Sequence, residues 1–404
     1  MPERTSAKNL SKMDRDRLDH LYEHLQKISP RTIGYPCNQA WDYSELFRFL
    51  EFSINNVGDP YEGSNYRLNT HEFECEVLDK FSDYTKADKS DFWGYVTTGG
   101  TEGNMYGLYL ARELYPQGVV YFSEDTHYSV AKILRLQHTR NIMLKSQENG
   151  EMDYDDLRES VRLNRDAPPI VFANIGTTMK GAVDNLDKIR EVMREFVIPN
   201  YYIHCDAALS GMILPFLDNP PPWTFADGAD SISISGHKMI GGPLPCGLAL
   251  ARKQYVDRVA RSVEYVGVLD TTITGSRSAF APLMLWYALR TLKDEGLENN
   301  AKHSLAMARY AVARFNEKGV PAWRNTNSVT VVFPHPAKSV MEKWVVAPNR
   351  GIGHLVALPH MNEALIDSFI DDYCEARSDE PVDERRIPGS KDPRRGSTSN
   401  AGLI

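Results

Sequence analysis

The stretch SISISGHK, residues 231–238, places a lysine directly after a short strand pattern. Isoleucine alternates with serine through residue 234 and Gly236 follows, which is typical of a strand that ends in a turn. Five more runs are predicted strands: Phe92–Thr98, Val119–Phe122, Ile170–Ala173, Tyr201–Cys205 and Gly247–Ala251. Helical patterns separate several of these runs, so we predict an α/β fold with a mostly parallel sheet covered by helices on both faces. Ligands bind beyond the carboxyl ends of such strands, where Lys238 lies.

A glycine-rich segment, TGGTEGN at residues 98–104, closes the first of these strands and opens a helical pattern. Its glycines allow close approach, Thr101 suits a helix N-cap, and the helix N-terminus favours a phosphate group. The spacing matches neither the dinucleotide fingerprint nor the P-loop. Taken alone, the segment is equally consistent with a tight turn.

Two further polar residues follow predicted strands, His127 after Val119–Phe122 and Asp206 after Tyr201–Cys205. Each alone is weak evidence, because such residues often pack or cap turns. Together with Lys238 and the glycine-rich segment they supply a phosphate cradle, a flat ring for stacking, a carboxylate for a pyridine nitrogen and an amine. This combination indicates pyridoxal phosphate, whose ring accepts electrons while its nitrogen keeps a proton.

Six short motifs then carry a resemblance to a known family. They are NNVGDP at 55–60, GTEGN at 100–104, HYSV at 127–130, NIGTT at 174–178, HCDAA at 204–208 and SGHK at 235–238. In this order they resemble the pyridoxal-phosphate-dependent (group II) amino acid decarboxylases, closest to the histidine and serine decarboxylase branch, over about residues 18–373. The resemblance implies a fold type I, aspartate-aminotransferase-like homodimer with active sites at the subunit interface.

The resemblance also implies residue roles. Lys238 would form the Schiff base with the cofactor, Asp206 would pair with the pyridinium and His127 would stack on the ring. Thr177 or Thr178 would contact the ring oxygen or the substrate carboxylate, and the two alternatives stay open. The remaining residues implied around the cofactor are Gly100, Thr101, Glu102, Asn104, Ala208, Ser235 and His237. The proton donor to the substrate Cα would be Tyr265 or His127.

The expected activity is decarboxylation of an L-amino acid to an amine and CO2, with histidine as the nearest family substrate. Leu269 and Phe280 stand where the branch is usually polar, so an apolar or aromatic amino acid, or serine, is an alternative substrate if these side chains face the pocket. A pyridoxal-phosphate aminotransferase or decarboxylative oxidase is a second alternative. A non-catalytic binding protein with this fold is a third.

The composition of the chain argues against two classes of partner. The chain has 404 residues, 42% hydrophobic and 25% charged, with a net charge of −8, so nucleic acid is not an expected partner. No run approaches the about 20 apolar residues of a membrane span, and we expect a cytoplasmic protein without a membrane partner. The five cysteines are scattered and suggest neither disulfides nor a metal site.

Pattern changes along the chain predict four regions. Residues 1–60 form an N-terminal arm with an amphipathic helix at Ser11–Gln26, and residues 61–295 form the large cofactor-binding domain. Residues 296–374 form a small α+β domain, and residues 375–404 a disordered tail rich in charge. The small domain is predicted to contain a helix at Lys302–Lys318, strands at Val329–Phe333 and His354–Leu358, and a helix at Asn362–Tyr373.

Overall fold

A computed structural model describes residues 10–263 and 267–379 of the chain. The strands of this part are, in chain order, β1 Asn55–Val57, β2 Phe92–Thr97, β3 Val119–Ser123, β4 Asn141–Leu144, β5 Pro169–Asn174, β6 Tyr202–Asp206, β7 Ser231–Ser235, β8 Gly247–Arg252, β9 Arg261–Val263, β10 Val268–Asp270, β11 Ser276–Ser278, β12 Thr330–Pro334 and β13 Ile352–Val356. The helices are α1 Lys12–Ile28, α2 His71–Tyr84, α3 Gly100–Leu114, α4 Ser129–Leu136, α5 Tyr154–Leu163, α6 Leu186–Glu195, α7 Lys253–Val259, α8 Phe280–Glu317, α9 Lys338–Lys343 and α10 Glu363–Asp379.

The main sheet has seven strands in the order β2-β8-β7-β6-β5-β3-β4. Strand β8 runs antiparallel to β2 and β7, and the other neighbouring pairs are parallel. The six predicted strands are all present, each within one residue of its expected bounds, and β4 is an addition. In the register of the parallel strands Asp206 lies opposite Asn174 on β5 and Ser233 on β7. The carboxyl ends of these strands therefore meet at one edge.

The central strands are buried on both faces. Val171, Ile203 and Ile232 point into one hydrophobic cluster, whereas their neighbours Phe172 and Tyr202 point into another. A strand whose consecutive side chains are all buried needs helices on both sides of the sheet. The predicted α/β architecture is thus confirmed.

The last third of the described chain begins with the long helix α8, which is kinked at Lys293, where φ is 55° and ψ −178°. The antiparallel pair β12–β13 and helices α9 and α10 follow. The predicted helix and strands of this region are present, but α10 continues to Asp379, five residues into the predicted tail. The rest of that tail, residues 380–404, lies outside the described residues.

The N-terminal arm begins with α1, which Ser11 caps through its side chain. No residue of α1 is buried, and its leucines are exposed in the described part of the chain. The segment after it crosses the carboxyl edge of the sheet: the Asn38 N–H donates to the Lys238 carbonyl at 3.1 Å, and the Gly34 N–H to the Val345 carbonyl at 2.9 Å. The arm therefore contacts both the sheet and the β12–β13 region.

Within the described ranges, no helix has the length and apolar character that crossing a membrane requires.

Candidate active site

A cavity of about 270 Å³ lies at the carboxyl edge of the main sheet. It brings together most of the residues that the sequence predicts for the site. Those that line it are Gly100, Thr101, Asn104, His127, Thr177, Thr178, Asp206, Ala208, Ser235, His237 and Lys238. Glu102 is not among the lining residues, and Tyr265 lies outside the described residues.

The glycine-rich segment forms a cradle at the start of α3. Gly99 has φ +156° at the N-cap, and a Cβ on Gly100 would lie 2.8 Å from Ser235 Oγ. Glycine at position 100 therefore keeps open the space between the helix N-terminus and the Ser235 hydroxyl. A helix N-terminus beside a hydroxyl fits a phosphate group. Thr101, expected at the N-cap, lies inside the first turn instead and faces the cavity.

Glu102 supports the cradle from behind and does not face the cavity, contrary to the expectation. One carboxylate oxygen accepts from the backbone N–H and the hydroxyl of Thr98, both at 2.7 Å. The other accepts from the Tyr95 hydroxyl at 3.1 Å and the Thr274 hydroxyl at 3.0 Å. These bonds fold the Glu102 side chain back over the loop, which motif spacing alone does not reveal.

Asp206 ends β6 and is buried, with a fractional exposure of 8%. Its Oδ1 accepts from the Ala208 N–H at 3.1 Å, and its Oδ2 accepts from Asn104 Nδ2 at 2.8 Å. A carboxylate oxygen accepts more than one hydrogen bond, so both retain capacity for a further donor. A buried carboxylate with such capacity fits a protonated pyridine nitrogen.

Lys238 follows β7 by three residues, in a turn that is held by the arm through Asn38. Burial lowers the pKa of its ammonium group, and the charges of Asp206 and Cys37 oppose this shift. The lowered pKa makes the neutral, nucleophilic amine more accessible. Lys238 therefore fits the residue that holds the cofactor.

His237, next to it, is fixed by the Cys246 backbone: its Nδ1 lies 2.7 Å from the carbonyl oxygen. Burial lowers the pKa of His237. The ring consequently keeps one orientation at the cavity wall.

His127 lies in the loop between β3 and α4. Its Nδ1 accepts from the Ser129 N–H at 3.3 Å and lies 2.8 Å from the Ser129 hydroxyl. Burial lowers the pKa of His127, while the charge of Asp206 opposes the shift. A neutral imidazole that accepts at Nδ1 carries its proton on Nε2.

Thr177 and Thr178 both line the cavity, so the structure does not choose between them. The Thr177 hydroxyl accepts from the Ala182 N–H at 3.0 Å, within a turn after β5. Thr178 is exposed.

Several cavity residues escaped the sequence prediction. Gly34, Tyr35 and Pro36 come from the arm, and His354 comes from β13. His354 is only 2% exposed and its Nδ1 has no hydrogen-bond partner. Burial lowers its pKa to about 4. The signal in the sequence was a histidine in the middle of an apolar strand.

Leu269 and Phe280, the basis for an apolar pocket, do not line this cavity. Phe280 begins α8 and is buried in the main hydrophobic cluster. Leu269 lies in the short β9–β10 pair. The polar-to-apolar changes at these positions therefore do not make the cavity of this chain apolar.

A larger cleft, of about 630 Å³, lies between α2 and α8. Its charged side chains pair with one another, Glu76 with Arg290 and Lys80 with Asp294. It contains none of the predicted site residues.

Comparison with known proteins agrees with this site. The family described as "Pyridoxal-dependent decarboxylase conserved domain" matches residues 70–333. Histidine decarboxylases of Pseudomonas entomophila (strain L48) and Morganella morganii are 48% and 49% identical to the chain over 366 residues, which is 90% of this chain and 91% and 97% of theirs.

The fold has solved relatives as well. L-methionine decarboxylase from Streptomyces sp.590 superposes with a TM-score of 0.83 at 25% identity, covering 93% of this chain and 98% of that one. Glutamate decarboxylase of Lactobacillus brevis shares the fold, with a TM-score of 0.76 at 18% identity, over 94% of this chain and 95% of that one. The fold is therefore that of the fold type I enzymes, and the cofactor is pyridoxal 5'-phosphate. With this family match over residues 70–333 and this identity over 90% of its length, the chain belongs to the family of pyridoxal-dependent decarboxylases.

Proposed function

We propose that this carboxy-lyase acts on L-histidine and releases the corresponding amine and CO2. The observation that carries the proposal is the 48–49% identity to histidine decarboxylases over 90% of the chain. The cavity supports it, because a polar side chain, His354, is among its lining residues.

The residues that line the cavity would have different roles toward the cofactor. Gly100, Thr101, Ser235 and His237 would hold the phosphate, and Lys238 would hold the cofactor covalently through its amine. Asp206 would keep the proton on the ring nitrogen. When bound, pyridoxal phosphate supplies a ring that accepts the electron pair left at Cα as CO2 departs.

His127 is the donor that we favour for the proton returned to Cα, over Tyr265. Its Nδ1 is occupied by Ser129, so the Nε2 proton is the one available to the cavity. The same ring can pack against the cofactor.

Product analysis tests the reaction and the substrate together. The holoenzyme is incubated with histidine, serine, leucine and phenylalanine, and amines and CO2 are quantified by mass spectrometry. We expect histidine to have the highest kcat/KM. Lys238→Ala, which removes the one lysine among the described residues that line the cavity, is the inactive control.

The alternatives give different products. A keto acid would indicate transamination, and an aldehyde with consumption of O2 would indicate oxidative decarboxylation. A preference for leucine or phenylalanine would favour an apolar substrate, and a preference for serine the other branch. Any of these outcomes contradicts the proposal.

We further propose that the active enzyme is a homodimer. Apolar side chains of the arm are exposed in the single chain: Leu18, Leu21 and Leu25 on α1, and Phe47 and Leu50 in the 3₁₀ helix Ser44–Glu51. Leaving so many large apolar side chains in water is unfavourable, and a second copy of the chain would cover them.

Leu21→Glu combined with Leu25→Glu should therefore weaken the dimer and lower activity, as measured by sedimentation and turnover. Leu163→Glu, at an equally exposed leucine on α5, is the matched control and should leave both unchanged. A native enzyme that is monomeric and fully active would contradict this proposal.

We also propose a cytoplasmic location. All five cysteines are unpaired in the structure, which suits a reducing compartment. Fractionation of the producing cell, with activity as the marker, tests this, and recovery of the activity outside the cytoplasm would contradict it.

A further inference from the structure

A chain of four hydrogen-bonded side chains ends at Asp206. Asn104 Nδ2 lies 2.8 Å from Asp206 Oδ2, and Asn104 Oδ1 lies 3.0 Å from His204 Nε2. His204 Nδ1 lies 2.7 Å from Ser231 Oγ. His204 and Ser231 are buried behind the cavity and do not line it. Their hydrogen-bonded connection to Asp206 runs through Asn104.

Asp206, at the end of this series of hydrogen bonds, determines which atom donates and which accepts in each of them. A carboxylate can only accept, so Asn104 must turn its NH2 group toward Asp206 and its carbonyl oxygen toward His204. That oxygen also only accepts, so His204 must carry a proton on Nε2. A neutral imidazole then has a bare Nδ1, which accepts from the Ser231 hydroxyl.

Burial supports the neutral form of His204. It lowers the pKa of His204 to about 4, because the loss of water around a charged ring outweighs the attraction of the Asp206 charge. At neutral pH the ring therefore has one proton. The position of that proton is fixed by Asn104 and Ser231 together.

Helix α3 packs tightly against His204 and Ser231. A Cβ on Gly107 would collide with the His204 ring and would lie 2.7 Å from Ser231 Oγ. Glycine at this position lets the helix that carries Asn104 approach the strands that carry His204 and Ser231. The imidazole has no room to turn away from Asn104.

We propose that His204 is a positioning residue that holds the Asn104 amide, and through it the Asp206 carboxylate, in the orientation that serves the ring nitrogen of the cofactor. Without the Nε2 proton, the Asn104 carbonyl oxygen would lose its donor, and the amide would no longer be held in place on the side away from the carboxylate. The inference rests on the proposed role of Asp206.

The test uses holoenzyme reconstituted with pyridoxal phosphate labelled with ¹⁵N in the ring. His204→Phe keeps the ring shape and removes the donor, whereas His204→Gln keeps an N–H near the Nε2 position. We expect the Phe variant to shift the ¹⁵N signal toward that of neutral pyridine and to bind the cofactor about tenfold more weakly, equivalent to about 1.4 kcal/mol. The Gln variant should restore both values.

Tyr121→Phe is the matched control, since it removes a buried hydroxyl without a partner on strand β3 of the same sheet. It should leave the ¹⁵N signal unchanged. Equal defects in the Phe and Gln variants would show a packing role and overturn the inference, as would an unchanged signal in the Phe variant. If His204→Phe does not fold, Ser231→Ala decides: a smaller shift in the same direction supports the inference, and no shift overturns it.

Asp206→Asn separates this inference from the role on which it rests. A ¹⁵N shift in Asp206→Asn but not in His204→Phe would overturn the inference and leave the role of Asp206 intact. No shift in either variant would overturn both.

Discussion

Burial controls the chemistry of the single residues at this site. The same loss of water lowers the pKa of the Lys238 amine and of the imidazoles of His127 and His354. Asp206 is the negative charge that opposes the shift at Lys238 and His127. One carboxylate thus acts electrostatically on two residues of the cavity.

Replacing this carboxylate should separate binding from turnover. We expect Asp206→Asn to retain pyridoxal phosphate, because the cradle and Lys238 are unchanged. Its kcat should fall about 100- to 1,000-fold, because a neutral amide stabilises the ring nitrogen's positive charge poorly. Steady-state kinetics and cofactor absorbance measure both quantities. Normal turnover would show that the charge of Asp206 is not needed.

Replacing His354 should lower activity without lowering the free energy of unfolding. An unpartnered buried polar atom costs about 1–3 kcal/mol, so His354→Phe should leave the free energy of unfolding equal or higher. Its kcat/KM for histidine should fall at least about tenfold, because a hydrogen-bonding group is lost.

Leu355→Ala, at a buried leucine of the same strand that does not line the cavity, is the control, and it should lower stability without changing the preference for histidine over phenylalanine. A His354→Phe enzyme that keeps the native preference would exclude His354 from substrate recognition.

Residues that follow strands were predictable, because the strand pattern itself places them at one edge. Lys238, Asp206 and His127 are of this kind. His354 was not predictable, since it reaches the cavity through packing of β13 against the arm, far away in sequence. Glu102 shows a further limit: its position in the motif is right, but the direction of its side chain depends on Thr98, Tyr95 and Thr274.

Among the elements, α8 connects the two main parts of the chain, and the predicted boundary after residue 295 lies two residues beyond its kink. The division into domains stays a prediction. Lys293 at the kink has a backbone conformation that only glycine adopts easily. The kink is therefore held against local strain by the packing on either side.

Lys293→Gly should release that strain. We expect the free energy of unfolding to rise by about 1 kcal/mol, as the relieved strain exceeds the entropy cost of glycine. Chemical denaturation measures it. Arg309→Gly, at an exposed position in the regular part of α8, is the control and should destabilise by about 1 kcal/mol. Destabilisation at both positions would mean that the kink is unstrained.

On the scale of the whole molecule, the arm ties the sheet to the last third of the described chain. The Gln39 N–H donates to His360 Nδ1 at 3.2 Å, and the Val356 N–H to the Ile33 carbonyl at 2.9 Å. Burial lowers the pKa of His360 from 6.5 to about 4. This contact is therefore sensitive to acid.

The sign of the pH effect follows from linkage. Between pH 6.5 and 4 the unfolded chain binds a proton at His360 that the folded chain does not, so the stability that is complete above pH 6.5 is lost as the pH falls. The His360→Gln variant has no imidazole to titrate at this position, so it does not lose stability in this way. Its free energy of unfolding should thus rise relative to the native protein as the pH falls from about 7 to 4. A difference that stays constant in denaturation curves across this range would contradict the prediction.

Contacts of the arm with the last third of the described chain can form only after that later part has been synthesised. Gln39 and His360 are 321 residues apart in sequence. At about 5–20 residues per second, the ribosome delivers the second partner about 15–60 s after the first. For that time the arm has neither His360 nor Val345 to bind. The arm can therefore complete these contacts at the edge of the cavity only after residues 345–360 have been synthesised.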